Sequence, residues 1–173
     1  MSINKNFEKE IAELSLVLKD IDSFKDEINL IIDSLTKCIK SGKKILICGN
    51  GGSAGEANHL AAEFVVRLKP NNNRSGIPMI SLSQNSSVLT ACGNDYGFEK
   101  IFSRTLEALG QEGDVLICLS TSGNSENILK VLDYAKKNKI QSISLLGSRG
   151  GKAKPLSNLN LVVPSDNTAR IQE

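Results

Sequence analysis

Two apolar runs of similar design constrain this chain more than anything else in it: Lys44-Ile45-Leu46-Ile47-Cys48-Gly49 and Asp114-Val115-Leu116-Ile117-Cys118-Leu119. A short continuous apolar run suits a strand buried on both faces, as in a parallel sheet covered by helices. Each run leads into small polar residues and then into helical spacing. Pro78–Leu82, Gln141–Leu146 and Leu159–Val163 read as further strands, with helical patterns between most of them. Strands alternating with helices predict an α/β fold, a doubly wound parallel sheet of five strands with right-handed crossovers.

Ahead of the first strand, Phe7, Ile11, Leu14, Leu18, Ile21, Phe24, Ile28, Ile31, Ile32, Leu35 and Ile39 recur at spacings of three and four. They predict one or two amphipathic helices whose apolar stripe packs on the sheet and on another subunit. Ser53 is the expected N-cap of a helix reaching about Leu68, with Glu56 completing a capping box. A short helix over Ser87–Cys92 is expected to end at Gly93-Asn94-Asp95-Tyr96-Gly97, and further helices cover Phe98–Leu109 and about Glu126–Asn138. Lys69–Gly76 reads as a loop. No linker or repeat divides the 173 residues. Residues 1–43 are therefore read as a helical segment of the same domain as 44–173, and a domain near this size buries about 68–70% of its unfolded surface.

The net charge of +2 is spread along the chain and aromatic residues are only 4%, so neither the basic cluster nor the stacking platform of a nucleic-acid binder is present. Cys38, Cys48, Cys92 and Cys118 form no C-x-x-C pair, and two of them lie inside apolar runs. They read as buried reduced thiols. The N-terminus has no apolar targeting core and no window suits a membrane helix, so no membrane partner and a cytoplasmic location are expected.

Two turns carry the chemistry. Ser120-Thr121-Ser122-Gly123-Asn124-Ser125 sets hydroxyls and backbone N–H groups between a buried strand and a helix N-terminus, where the helix dipole favours an anion such as phosphate. A polar turn capped by Ser125 is the plainer reading, but capping needs one hydroxyl rather than four. Gly49-Asn50-Gly51-Gly52-Ser53 lacks both the G-x-G-x-x-G spacing and the Walker Gly-Lys-Ser/Thr, which argues against nucleotide. On the helix it opens, His59 and Glu63 stand four apart and so are neighbours on one face. Such a pair can share a proton, chelate a metal or simply be an ion pair; beside the strand ends, Glu63 can act as a general base.

Read as blocks in order, Ile47–Ser53, His59-Leu60-Ala61-Ala62-Glu63, Gly93–Phe98, Gly113–Leu116, Ser120–Ser125 and Ala169-Arg170-Ile171-Gln172-Glu173 closely resemble the bacterial phosphoheptose isomerases of the sugar isomerase (SIS) domain superfamily. The resemblance runs from about Phe7 to Glu173. It implies a flavodoxin-like sheet in a homotetramer with active sites between subunits. It also implies isomerisation of sedoheptulose 7-phosphate to D-glycero-D-manno-heptose 7-phosphate, feeding nucleotide-heptose for lipopolysaccharide or capsule. By the same resemblance Ser120, Thr121, Ser122 and Ser125 bind phosphate, and Asn50, Gly51, Gly52, Ser53, Arg67, Asn94 and Asp95 line the sugar site. His59, Glu63 and Gln172 are the implied ligands of one zinc ion (Zn2+) per subunit, Glu63 and Gln172 also meeting substrate and Glu63 serving as the base.

Two departures qualify that picture. In the family the helix begun at Arg170 continues and supplies a second histidine as zinc ligand and acid/base, a residue beyond this sequence, so the final helix is expected to be incomplete. Ala169 stands where some members carry an aspartate. Relatives of the same fold that associate with a replication initiator lack the carboxylate four residues after the histidine, so Glu63 favours the enzyme over such an assembly factor or a non-catalytic sugar-phosphate sensor.

Overall fold

Each buried strand must present apolar side chains to two layers at once, and the architecture follows from that demand. In the computed structural model, which describes residues 3–173, the first half of the chain runs α1 (Ile3–Lys19), a 3-10 turn, α2 (Lys25–Lys40), β1 (Ile45–Gly49), α3 (Gly52–Val65) and β2 (Met79–Ser81). The second half runs α4 (Ser86–Asp95), a 3-10 turn (Phe98–Lys100), α5 (Ile101–Leu109), β3 (Val115–Ser120), α6 (Glu126–Lys137), β4 (Gln141–Leu146), a 3-10 turn, β5 (Leu159–Val162) and α7 (Thr168–Gln172). The five strands are parallel in the order β2-β1-β3-β4-β5, as expected for a doubly wound, flavodoxin-like sheet. Strand order reverses between β1 and β3, and open α/β sheets bind ligands at such a switch point.

Successive side chains alternate between the two faces. Leu46 and Cys48 of β1, Leu116 and Cys118 of β3 and Leu146 of β4 pack with Phe102 and Leu106 of α5 and Ile128, Val131 and Leu132 of α6. Ile45 and Ile47, Val115, Ile117 and Leu119, and Ile143 face the other way, against Cys38 of α2 and Ala57 and Ala61 of α3. The runs are continuously apolar because both faces are covered. Two alanines in the contact let α3 lie close to the sheet.

At the opposite end of the sheet from the two turns, Asp114 is buried and anchors the entry to β3. Its carboxylate accepts from the Lys44 backbone N–H (3.1 Å), the Lys44 Nζ (2.6 Å) and the Gln111 N–H (2.8 Å). Lys44 keeps 21% of its side chain exposed against 1% for Asp114, so the lysine stays partly hydrated while the carboxylate relies on its three donors. This ties the start of β1 to the start of β3.

Several boundaries differ from the sequence reading. Gly51, at φ +55°, is the N-cap of α3, the Ser53 N–H already bonds to the Asn50 carbonyl, and the expected Ser53–Glu56 capping box does not form. The glycines let the helix begin earlier and turn Ser53 into its first turn. At the far end α3 stops at Val65 rather than Leu68, because the Arg74 guanidinium folds back to donate to the Glu63 and Phe64 carbonyls (2.7 and 2.8 Å). Helix α4 continues through Gly93 to Asp95, opened by Asn85, whose side chain accepts from the Ser87 and Val88 N–H groups. Before α5 comes a separate 3-10 turn rather than one helix from Phe98.

Of the two N-terminal helices, α2 turns Ile31, Leu35 and Ile39 onto the sheet layer. Helix α1 docks instead on α7: Arg170 donates to the Glu10 carbonyl and Asn167 to the Glu13 carboxylate, each at 2.8 Å. Phe7, Leu16, Leu18, Leu30 and Ile32 are left exposed. Among the described residues no helix is long and apolar enough to cross a membrane.

All four cysteines are buried and unpaired, as expected. Cys48 and Cys118 are register partners with Sγ atoms 3.7 Å apart, and burial above all, then the Cys48 contact, pushes the Cys118 thiol well above its ordinary range. Burial, then the negative charge of Asp114, also raises Cys38. A thiol so placed stays protonated and inert near neutrality. Iodoacetamide is accordingly expected to alkylate none of the four in the native protein and all four after unfolding in guanidinium, with intact mass as the readout. In urea titrations Asp114→Ala should lose about 3 kcal/mol, because it removes a buried carboxylate that holds two part-buried backbone donors and a lysine; a loss within 0.5 kcal/mol, about what a surface change gives, would mean the clasp contributes little.

Candidate active site

The carboxyl ends of β1 and β3 bring the two turns side by side. Gly49 ends β1 against the first turn of α3, where a Cβ would lie 2.7 Å from the Ser53 carbonyl oxygen, so the close start of the helix requires glycine. The Ser83 hydroxyl donates to the Gly49 carbonyl (3.1 Å) and holds this turn from the β2 side.

Beyond β3, Ser120 is buried and its Oγ accepts from the Gly123 N–H (3.1 Å), while the Ser122 Oγ accepts from the Asn124 N–H (3.2 Å). Gly123 has φ +62° and lies against the Gly150 carbonyl, with its own carbonyl accepting from the Ala153 N–H (2.9 Å). Ser125 occupies the N-cap position of α6, yet its side chain makes no capping bond. The plainer reading of this turn thus lacks its central contact, and the Ser125 hydroxyl stands uncommitted at the head of a helix.

Between the turns lies a cavity of about 400 Å³ walled by Gly52, Ser53, Glu56, Ser120, Thr121 and Gln172, over Leu60, Leu119, Leu145, Val163 and Ile171. Helix α7 brings Gln172 against the glycine turn, so closely that a Cβ on Gly52 would lie 2.6 Å from its Nε2. A second, more open hollow is lined by Asn50, Ser125 and Asn127 with Phe98, Glu99 and Lys130.

His59 and Glu63 are neighbours on α3 as the spacing predicts, with Nε2 and Oε1 3.4 Å apart. The imidazole is 63% exposed and the carboxylate 28%, while Glu63 Oε2 is buried with no hydrogen-bond partner. An orphaned carboxylate oxygen beside an imidazole suits a cation or a proton in transit. Among the described residues no three His, Cys, Asp or Glu side chains gather as a metal site, and the cavity that holds Gln172 is lined by neither His59 nor Glu63. One chain offers zinc a two-donor edge rather than a closed set.

The remaining expected residues lie outside both hollows. Ser122 and Arg67 are exposed, as are Asn94 and Asp95 at the end of α4, where the Asn94 amide donates to the Asp95 carboxylate (2.7 Å). Sequence reading missed Asn127, which is buried at the start of α6 and hydrogen-bonded to Asn50, and gave Glu56 only a capping role. The signal for Asn127 was an amide at the head of the Ile128, Val131 and Leu132 stripe.

A family profile described as SIS domain matches residues 9–147. The phosphoheptose isomerase of Helicobacter pylori (strain P12) is 47% identical over 171 residues, 99% of this chain and 86% of that protein. Phosphoheptose isomerase 1 of Campylobacter jejuni is 49% identical over 166 residues, 96% of this chain and 88% of its own. Among solved structures, a phosphoheptose isomerase from Francisella tularensis superposes with a TM-score of 0.94 at 32% identity, and phosphoheptose isomerase GmhA from Neisseria gonorrhoeae with 0.92 at 34%; each match covers 99% of this chain and 91% of the other. Motif blocks, strand order and nearly end-to-end similarity agree, and the chain belongs to the phosphoheptose isomerase family of SIS-domain proteins.

Proposed function

We propose that this chain is an aldose–ketose isomerase that converts sedoheptulose 7-phosphate to D-glycero-D-manno-heptose 7-phosphate, in a pathway supplying nucleotide-heptose for surface polysaccharide. The observation that carries the reading is the switch-point cavity beside a hydroxyl-rich turn whose Ser125 hydroxyl is not spent on capping. Phosphate held by Ser120, Thr121, Ser122 and Ser125 meets hydroxyls, backbone N–H groups and the positive end of α6. Asn50, Gly51, Gly52, Ser53, Gln172, Arg67, Asn94 and Asp95 take the sugar.

Glu63 is the base in this proposal, and its unpartnered Oε2 is the oxygen available for the proton. It removes a proton from C1 of the ketose, the C–H electron pair becomes the C1–C2 double bond, and O2 gains a proton to complete the enediol. Loss of the O1 proton then rebuilds a carbonyl at C1 while Glu63 returns its proton to C2, giving the aldose. Of the expected ligands His59, Glu63 and Gln172, one chain gathers only His59 and Glu63, which would hold zinc on that edge; when bound, the ion polarises the substrate oxygens.

The assembly is proposed to be a homotetramer whose sites form between subunits. His59, Arg67, Asn94 and Asp95 face outward from one chain, and Leu16, Val65, Val66 and Leu68 form exposed apolar surface that a second copy would cover.

Incubation of the protein with sedoheptulose 7-phosphate and zinc, followed by NMR, is expected to show the aldose accumulating; no turnover would sink the isomerase reading. Glu63→Gln should lower the rate by about 10²–10⁴-fold, the usual contribution of a positioned base. Binding of inorganic phosphate, read by calorimetry, should survive that change, and a near-normal rate would remove Glu63 from the role. For the assembly, Leu68→Asp is expected to yield smaller species in sedimentation and to lose turnover, whereas an unchanged tetramer would place the interface elsewhere.

A further inference from the structure

Asn127 occupies the second residue of α6 and is only 2% exposed, directly before the core residues Ile128, Val131 and Leu132. A buried amide is costly unless its polar atoms are bonded, and an apolar side chain of the same size would fill this place without that cost. Both side-chain bonds of Asn127 go to one residue: its Nδ2 donates to Asn50 Oδ1, and Asn50 Nδ2 donates to Asn127 Oδ1, each at 2.9 Å. The partners are 77 residues apart in sequence. Asn50 belongs to the glycine turn after β1, and Asn127 follows the serine turn after β3.

A reciprocal amide pair fixes more than a distance. Each side chain must present its oxygen to the other's nitrogen, so the rotation of the Asn50 amide is set and its one remaining N–H and remaining lone pair are aimed elsewhere. Asn127 does not cap α6, since the N-cap position belongs to Ser125. We infer that Asn127 is a positioning residue, which through Asn50 fixes the sense of that amide and the spacing of the two turns without itself contacting substrate. Only the consequence for turnover rests on the isomerase reading; the clasp itself does not.

Asn127→Leu keeps the branched heavy-atom shape and removes both bonds. Asn127→Asp keeps the shape, suits a helix N-terminus and still accepts from Asn50, but cannot donate back. In kcat/KM for sedoheptulose 7-phosphate, Asn127→Leu is expected to cost about tenfold in the wild-type background and less than about twofold in the Asn50→Ala background, because a residue acting through another shows strong non-additivity. Asn127→Asp should show the same pattern with a smaller loss, and it carries the test where the leucine variant does not fold. A merely structural role would give equal losses in both backgrounds and would overturn the inference. A second readout needs no turnover: in ¹H–¹⁵N spectra the Asn50 side-chain NH₂ is expected to exchange slowly with water and to exchange faster in either Asn127 variant. Unchanged Asn50 signals would overturn the positioning role even in an active enzyme, while a wild-type protein without turnover would count against the isomerase reading and leave the amide signals to decide the clasp.

Discussion

The pairing of β1 with β3 is the constraint on which the rest depends. Residue partners run from Ile45 with Val115 to Gly49 with Leu119, so both strands end at the same level and both turns emerge together. A shift of one residue would send Cys48 and Cys118 into the opposite layer and exchange every core contact, so the two-sided burial itself locks the register. The Lys44–Asp114 clasp fixes the other end of the same pair. The site's geometry is therefore a by-product of core packing.

Small residues convert that alignment into a crevice. Glycine at 49 lets α3 start against the strand, and glycines at 123 and 151 let the serine turn lie against a neighbouring loop at close backbone approach. Ala57 and Ala61 keep α3 close to the sheet along its length. Larger side chains at these places would push the helix outward and separate the anion-binding groups from the cavity.

Much of this was legible in the sequence, for reasons that can be named. Continuous apolar runs identify strands covered on both faces, so the five strands were placed to within a residue or two, and Gln141–Leu146 at both ends. The serine turn was legible because four hydroxyls exceed what a cap needs. Harder to see were contacts made by distant residues. Nothing local marks Arg74 as the stop for α3, since the carbonyls it meets lie eleven and ten residues back. Nor does composition pair Asn127 with Asn50. The Ser53 capping pattern misled because two preceding glycines offered the backbone an earlier start. His59 and Glu63 were correctly placed as neighbours, but no spacing rule tells how a helix face sits relative to a cavity lined by other elements.

The docking of α1 on α7 also has a bearing on the order of folding. Gln172 walls the cavity, yet α7 is a short helix, and its two polar tethers to α1 join residues more than 150 positions apart, Asn167 with Glu13 and Arg170 with Glu10. A contact of that sequence separation closes a very long loop and is costly until the sheet between has formed. The switch-point turns can be in place as soon as β1 and β3 pair. Their last wall depends on α1 meeting α7, so the cavity's mouth rests on contacts far longer in sequence than the pairing that sets the turns.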